Sequence, residues 1–260
     1  MGFPETVLLA AFAGLTIYLG LPVGRLRTIS ANWQALLTAA AGGVILFLVY
    51  DVLHQAIEPA SAALDAARAG ASLGAFAIDA AVLAGSVAVG LLSVTYVTTR
   101  LRTNASGSSA TRQLAMGTAV GLGLHNFSEG LAIGQSSATG ATSLALILVI
   151  GFALHNATEG FGIVAPLAGG PVRPSWAFLG AMGAIGGGPT VVGTIVGQAV
   201  VNTTLSVAFL GLAAGSILYV VIELLGVNRA FGLKVLASAG VLVGLLLGFG
   251  TDLFLKALGG

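Results

Sequence analysis

The chain has 260 residues, of which 57% are hydrophobic and 7% are charged, and its formal net charge is +1. A soluble domain carries charge on about a quarter of its residues, so the composition excludes a soluble protein and indicates an integral membrane protein. The charge balance offers no basic patch for a nucleic acid. The absence of cysteine excludes disulfides and thiolate metal ligands.

Eight apolar runs are long enough to cross a bilayer, which takes about 20 residues of helix. The sequence therefore predicts an all-α integral membrane protein with one transmembrane domain over residues 1–260. We expect its helices at about 4–24, 33–57, 72–98, 111–136, 141–168, 176–200, 203–225 and 232–257. The first run has Glu5 near its start and basic residues after it, which is the reverse of a secretory signal peptide. We expect it to be retained as a membrane helix.

The basic residues of the connections predict the orientation, because cytoplasmic loops are enriched in lysine and arginine. On one side of the membrane lie eight of the ten: Arg25, Arg27, Arg100, Arg102, Arg112, Arg173, Arg229 and Lys234. Only Arg68 and Lys256 fall on the other side. This distribution predicts that both termini lie outside the cytoplasm.

One polar pattern occurs in both the fourth and the fifth run. It reads His-Asn-Phe-Ser-Glu from His125 to Glu129 and His-Asn-Ala-Thr-Glu from His155 to Glu159. Residues four apart share a helix face, so each copy projects an imidazole and a carboxylate in one direction. Ionisable groups inside a membrane are costly and usually mark a site.

The short turn near residue 142 predicts how the two copies meet. In an antiparallel pair, His125 lies level with Glu159 and Glu129 lies level with His155, about 20–25 Å from the turn and near the middle of the bilayer. Imidazole and carboxylate groups suit Zn²⁺, Fe²⁺, Mn²⁺ and similar ions. We therefore predict a metal or proton site here; the alternative is that these polar groups only join neighbouring helices.

These residues resemble the ZIP (Zrt/Irt-like) family of divalent-metal transporters. Residues 123–130 and 155–160 are similar to the fourth and fifth helices of that family, and residues 214–220 with Glu223 are similar to its seventh. Eight helices with both termini outside the cytoplasm is also the family's topology, so the resemblance extends over essentially the whole chain. It implies a ZIP-like helix bundle in the plasma or inner membrane, a homodimer, and metal transport into the cytoplasm by alternating access.

The resemblance also implies which residues bind the transported ion. The family's transport site corresponds here to His125, Asn126, Glu129, His155, Asn156 and Glu159. Many members have an acid where this chain has Asn156, and some have a glutamate where it has Gln198. Since both amides remove negative charge, we expect a second metal position to be weak or absent. The expected cargo is Zn²⁺, with Fe²⁺, Mn²⁺ and Cd²⁺ as alternatives, and no organic cofactor is expected.

Five further polar residues are candidates for the ion pathway. Asp51, His54 and Glu58 follow the i, i+3, i+7 spacing of one helix face, and Asp79 lies near the same side of the membrane. Acidic groups there would form an entrance that concentrates cations. Glu223 would lie at the exit, and the alternative for it is a contact with Arg229 at the helix end. The alternative for the four entrance residues is ordinary polarity at the membrane surface.

The expected activity is transport rather than catalysis, with two alternatives left open. One is a membrane-embedded metal-dependent hydrolase in which Glu129 or Glu159 acts as general base on metal-bound water. Three histidines in total and no separate substrate domain weigh against it. The other is a proton- or sodium-coupled carrier that uses the same carboxylates without a metal.

Overall fold

The computed structural model describes residues 1–26, 30–102, 108–169 and 173–257. Within these ranges the chain is almost entirely α-helical and contains no strand. Arg27, which contributed to the expected orientation, lies outside the described residues. The prediction of an all-α protein is confirmed.

The helices follow one another with short connections. They are α1 (Phe3–Leu15), α2 (Ile17–Gly20), α3 (Ala31–Arg68), α4 (Gly74–Arg102), α5 (Ser108–Ala138), α6 (Thr142–Val164), α7 (Trp176–Ala199), α8 (Thr203–Phe231) and α9 (Lys234–Ala257). A 3₁₀ turn, Leu21–Arg25, continues α2, and another, Ala165–Leu167, follows α6. The first crossing is thus interrupted at Thr16, whose hydroxyl donates to the Ala13 carbonyl at 2.7 Å.

Seven of the described helical segments are long and apolar enough to cross a membrane. The helix α5 is not one of them, because it carries the polar pattern around His125 together with several serines and threonines. It joins α4 to α6 and packs against helices on several sides, so its polar residues are directed into the protein. The described part of the chain therefore forms a membrane-spanning helix bundle, as the composition predicted.

Met1 and Lys256, near the two ends of the described chain, both lie near the α5–α6 turn. The amino group of Met1 donates a hydrogen bond to Thr142 Oγ1 at 3.5 Å, and Lys256 lines a cavity together with Leu144. An even number of crossings brings the two termini to the same side, which agrees with eight predicted helices. Which side faces the cytoplasm stays a prediction.

The helices pack in two groups. Group A contains α1, α2, α5, α6 and α7, and its most extensive contact is between α5 and α7. Group B contains α3, α4, α8 and α9, and its main contacts are α3 with α9 and α4 with α8. The groups meet chiefly where α5 packs on α8 and where α6 packs on α3.

Glycines explain the close contact of α5 with α7. Gly130 and Gly134 face Thr190 and Thr194 of α7, and a side chain at either glycine would collide with the backbone of α7. Gly193 and Gly197 of α7 are equally close to the backbone of α5. These are small-xxx-small contacts of the kind that lets membrane helices approach closely. The run Gly186–Pro189 lies within α7, which continues through it as helix.

Candidate metal centre

The two copies of the polar pattern meet where α5 and α6 pack as an antiparallel pair. The turn between them is tight, and Gly140 adopts the left-handed φ of +80° that glycine tolerates best. His125 and Glu129 of α5 and His155 and Glu159 of α6 each offer a ligand atom, and these atoms lie within 4.8 Å of one another. All four side chains are buried.

Glu129 lies at the centre of this cluster. Its Oε1 is 3.2 Å from His125 Nε2 and forms a short contact with His155 Nε2. His125 Nε2 is also 3.4 Å from Glu159 Oε1. Glu129 is therefore level with His155, and His125 is level with Glu159, as the position of the turn predicted.

Several ligand atoms of the cluster have no hydrogen-bond partner among the described residues. They are both ring nitrogens of His125, Oε2 of Glu129 and Oε1 of Glu159. Buried polar atoms without partners are rare in proteins, since each costs about 1–3 kcal/mol. Imidazole nitrogens and carboxylate oxygens are also the ligands that divalent transition metals prefer in a site without thiolates. The cluster thus has the chemistry of a metal site.

The charge and spacing of the cluster suit one divalent cation. Two carboxylates with two neutral imidazoles carry a charge of −2, which a single divalent ion would neutralise in a buried place where unpaired charge is costly. Ligands at about 2.0–2.1 Å from a tetrahedral zinc ion are roughly 3.3 Å apart. The distances of 3.2 and 3.4 Å from His125 Nε2 to the two glutamates lie close to this value, whereas the contact between Glu129 and His155 is shorter.

The two asparagines of the pattern make different contacts. Asn126 Nδ2 donates to Glu159 Oε2 at 2.9 Å and to the carbonyl oxygen of Gly186 at 3.0 Å, so it connects the site to α7. Asn156 Nδ2 donates to the carbonyl oxygen of Ala13 at 3.0 Å, at the end of α1. Asn126 therefore orients a carboxylate of the cluster, whereas Asn156 holds α6 against the interrupted first crossing.

Replacement of Asn126 by alanine is expected to weaken zinc binding by about 10–100-fold, the usual effect of losing a group that orients a metal ligand. The reason is that Glu159 loses its side-chain hydrogen bond from Asn126, the one that the described residues give it. Calorimetric titration of the purified protein with Zn²⁺ measures the change. Asn202→Ala, which removes a helix cap distant from the cluster, is the matched control. An affinity for Asn126→Ala within twofold of the wild type would contradict this role.

Other predicted site residues lie apart from the cluster. Gln198, near the end of α7, lines a separate cavity with Met1 and Ser137. Asp79 is buried within group B, where it accepts a hydrogen bond from Thr204 Oγ1 at 3.0 Å. Glu223 lies on α8 and is half-buried.

A cavity of about 160 Å³ between α3, α6 and α9 reaches the cluster at His155. Of the four entrance candidates, Asp51 lines this cavity. His54 lies beside Tyr50, with ring centroids 6.1 Å apart, and Glu58 is exposed. The structure thus brings Asp51 to the approach to the cluster and leaves His54 and Glu58 outside the cavity lining.

Four cavity-lining polar residues were not identified from the sequence: Gln55, Thr251, Asp252 and Lys256. Gln55 of α3 donates to Asp51 Oδ2 at 2.8 Å, and Lys256 of α9 forms an ion pair with Asp252 at 2.8 Å. The sequence did contain a signal for Asp252 and Lys256, because these two charged residues are four positions apart at the end of an otherwise apolar helix. Their proximity to Asp51 depends on the packing of α9 against α3.

Residues 98–255, more than half of the chain, match the family model described as ZIP Zinc transporter. The chain belongs to the ZIP family. The match contains the whole of α5 to α8 and all four residues of the cluster, while residues 1–97 lie outside it. A comparison with curated proteins finds no match.

Membership of the family decides between classes of function. ZIP proteins are transporters, so this chain is a membrane-embedded transporter of divalent metal ions and not an enzyme. The identification made from the two His-Asn patterns is confirmed, and the hydrolase alternative is set aside. The buried His/Glu cluster fits a metal site in such a transporter.

Proposed function

We propose that this ZIP protein moves Zn²⁺ into the cytoplasm across the cell membrane, working as a homodimer and by alternating access. The observation that carries the proposal is the convergence of two histidines and two glutamates, all buried, from adjacent antiparallel helices. Such a set would replace the hydration shell of an ion and neutralise its charge. His125, Glu129, His155 and Glu159 are its proposed ligands.

Zinc is proposed as the main cargo because the ligand spacing and number suit a tetrahedral ion. Fe²⁺, Mn²⁺ and Cd²⁺ share the preference for nitrogen and oxygen donors and are the alternatives. A single ion is proposed, since Asn156 supplies no negative charge for a second one and Gln198 lines a separate cavity. The amide nitrogen of Asn126 donates a hydrogen bond to Glu159, so Asn126 is proposed to orient this ligand.

The cavity between α3, α6 and α9 is the proposed entrance. It has Asp51 on its wall and His155 at its inner end, so a cation attracted by the carboxylate would next meet a ligand of the cluster. An extracytoplasmic position is proposed for this cavity because most basic residues belong to the connections at the opposite side. Glu223 of α8 is the proposed exit residue.

Alternating access is proposed to occur by movement of group A, which contains both helices of the cluster, along group B. Three side-chain hydrogen bonds between described residues join α5 to α8 across the boundary between the groups. In one, Ser206 Oγ donates to Gln135 Oε1 at 3.0 Å. Ser128 Oγ donates to the carbonyl of Phe209 at 3.0 Å, and Ser216 Oγ donates to the carbonyl of Gly121 at 3.1 Å. The bonds of Ser128 and Ser216 are two helical turns apart on each helix, and a slide of α5 along α8 would break all three bonds together.

The test is metal uptake into proteoliposomes that contain the purified protein. We expect the wild type to take up Zn²⁺ well above protein-free vesicles and His155→Ala to lose most of this uptake, because it removes a ligand at the inner end of the cavity. Asp65→Asn, which changes an exposed acid paired with Arg68, is the control and should transport normally. Uptake of Fe²⁺, Mn²⁺ and Cd²⁺ in parallel ranks the cargo.

Two results would contradict the proposal in different ways. Equal uptake by the wild type and His155→Ala would place the transport site elsewhere. Failure of the wild type to bind or move any of the four metals, with proton or sodium flux in their place, would favour the carrier that uses the carboxylates without a metal. Mass measurement of the detergent-solubilised protein tests the homodimer.

A further inference from the structure

The mouth of the entrance cavity carries a positive charge as well as negative ones. Lys256 and Asp252 both line the cavity, and their side chains form an ion pair at 2.8 Å. Asp51 lies on the α3 wall of the same cavity, where Gln55 donates to its Oδ2. An ammonium group therefore lies at the entrance through which a metal cation would pass.

We propose that Lys256 sets the affinity with which the cavity captures divalent cations, by acting as a tethered counter-ion of Asp252. The inference rests on the proposed function, since it concerns the approach of an ion to the same cluster. An arriving divalent ion has to displace the ammonium from Asp252 before that carboxylate can attract it. Lys256 thus keeps capture weaker than the two acids alone would make it.

The exposure of the pair supports this role over a structural one. The side chain of Lys256 is 64% exposed and that of Asp252 is 25% exposed. Exposed ion pairs contribute little to stability, so the pair can open without disturbing the fold. The two residues are also one helical turn apart, which lets the ammonium leave and return by rotation of its own side chain.

The net charge at the mouth of the cavity predicts the direction in which Lys256 changes the affinity for divalent ions. Asp51, Asp252 and Lys256 sum to −1, and removal of the lysine leaves −2. One charge at about 8 Å in water changes the affinity for a divalent ion by about fivefold at low salt, and this effect declines as ionic strength rises. The pair therefore determines both the affinity of capture and its dependence on salt.

The experiment compares zinc uptake by wild-type, Lys256→Gln and Lys256→Arg protein in proteoliposomes at low and high ionic strength. For Lys256→Gln we expect a KM lower by about fivefold at about 0.01 M salt, with kcat unchanged and a smaller difference at about 0.5 M salt. Lys256→Arg keeps the charge and should have the wild-type KM at both concentrations.

Asp252→Asn is expected to change KM in the direction opposite to Lys256→Gln. It leaves the ammonium unpaired, so KM should rise at low salt, and addition of Lys256→Gln to this variant should bring KM back down. An unchanged KM in Lys256→Gln, or the same change of KM in Lys256→Arg, would overturn the inference about Lys256. The proposed function would still stand in that case, provided that the wild type transports zinc. A wild type that moves no divalent ion would overturn both.

Discussion

Glu129→Gln is expected to reduce zinc uptake to the level of protein-free vesicles and to weaken zinc binding by at least about 100-fold. The Oε1 atom of Glu129 is close to the Nε2 atoms of both His125 and His155, so this carboxylate is the shared centre of the cluster. Loss of one partner from a buried charged pair costs about 3–5 kcal/mol. The substitution leaves a single carboxylate, that of Glu159, to neutralise a divalent ion.

The substitution preserves side-chain size, which separates the loss of charge from a loss of packing. The amide would also place a donor where an acceptor faces the imidazoles. Uptake and calorimetric binding of Zn²⁺ measure the effect, and gel filtration with a melting curve establishes that the variant is folded. Asp65→Asn serves again as the acid-to-amide control outside the cluster. Uptake by folded Glu129→Gln at the wild-type rate would exclude Glu129 from the transport site.

The meeting of the two histidines and two glutamates could be predicted because it depends on local geometry. A spacing of four residues fixes one helix face, and a short turn between two helices fixes which residues share a level. The turn lies between Ala138 and Thr142 in the structure, close to the predicted position. The contacts of Glu129 with His155 and of His125 with Glu159 follow from these two facts alone.

The wall of the entrance cavity could not be predicted in the same way. Helical spacing identified one polar face of α3, but it does not reveal which helices pack against that face. Asp51 and Gln55, four residues apart, line the cavity with residues of α6 and α9, whereas His54 lies beside Tyr50 and outside the cavity lining. Asp252, which lines the same cavity as Asp51, lies about 200 residues further along the chain. Only tertiary packing brings the two acids to one cavity.

The roles of the amides also depend on distant contacts. The sequence places Asn126 and Asn156 at equivalent positions of two similar patterns, which favours equivalent roles. In the structure Asn126 bonds Glu159, whereas Asn156 bonds the carbonyl of Ala13, where α1 ends and the first crossing is interrupted. No pattern in the sequence predicts an interruption at Thr16, so the different partner of Asn156 was not predictable.

A disulfide between the two helix groups is expected to stop transport without abolishing metal binding. Gly162 of α6 packs against Ile45 of α3, and a Cβ at Gly162 would lie 3.0 Å from Ile45 Cδ1 and 3.7 Å from Ile45 Cγ1. Replacement of both residues by cysteine shortens the isoleucine and brings the two thiols within reach of the geometry that a disulfide needs. The chain has no other cysteine, so oxidation can form only this bridge within the protomer.

The oxidised Ile45→Cys/Gly162→Cys protein should bind Zn²⁺ as the reduced form does, because both helices of the cluster belong to group A. Its uptake should fall to background and return when a reductant opens the bridge, since group A can then move along group B again. The matched control is Gly42→Cys/Leu224→Cys, in which a Cβ at Gly42 would lie 3.7 Å from Leu224 Cβ and both residues belong to group B; oxidation of that pair should leave uptake unchanged. Full transport by the oxidised cross-group pair would show that the ion crosses without movement between the groups, as it would through a channel.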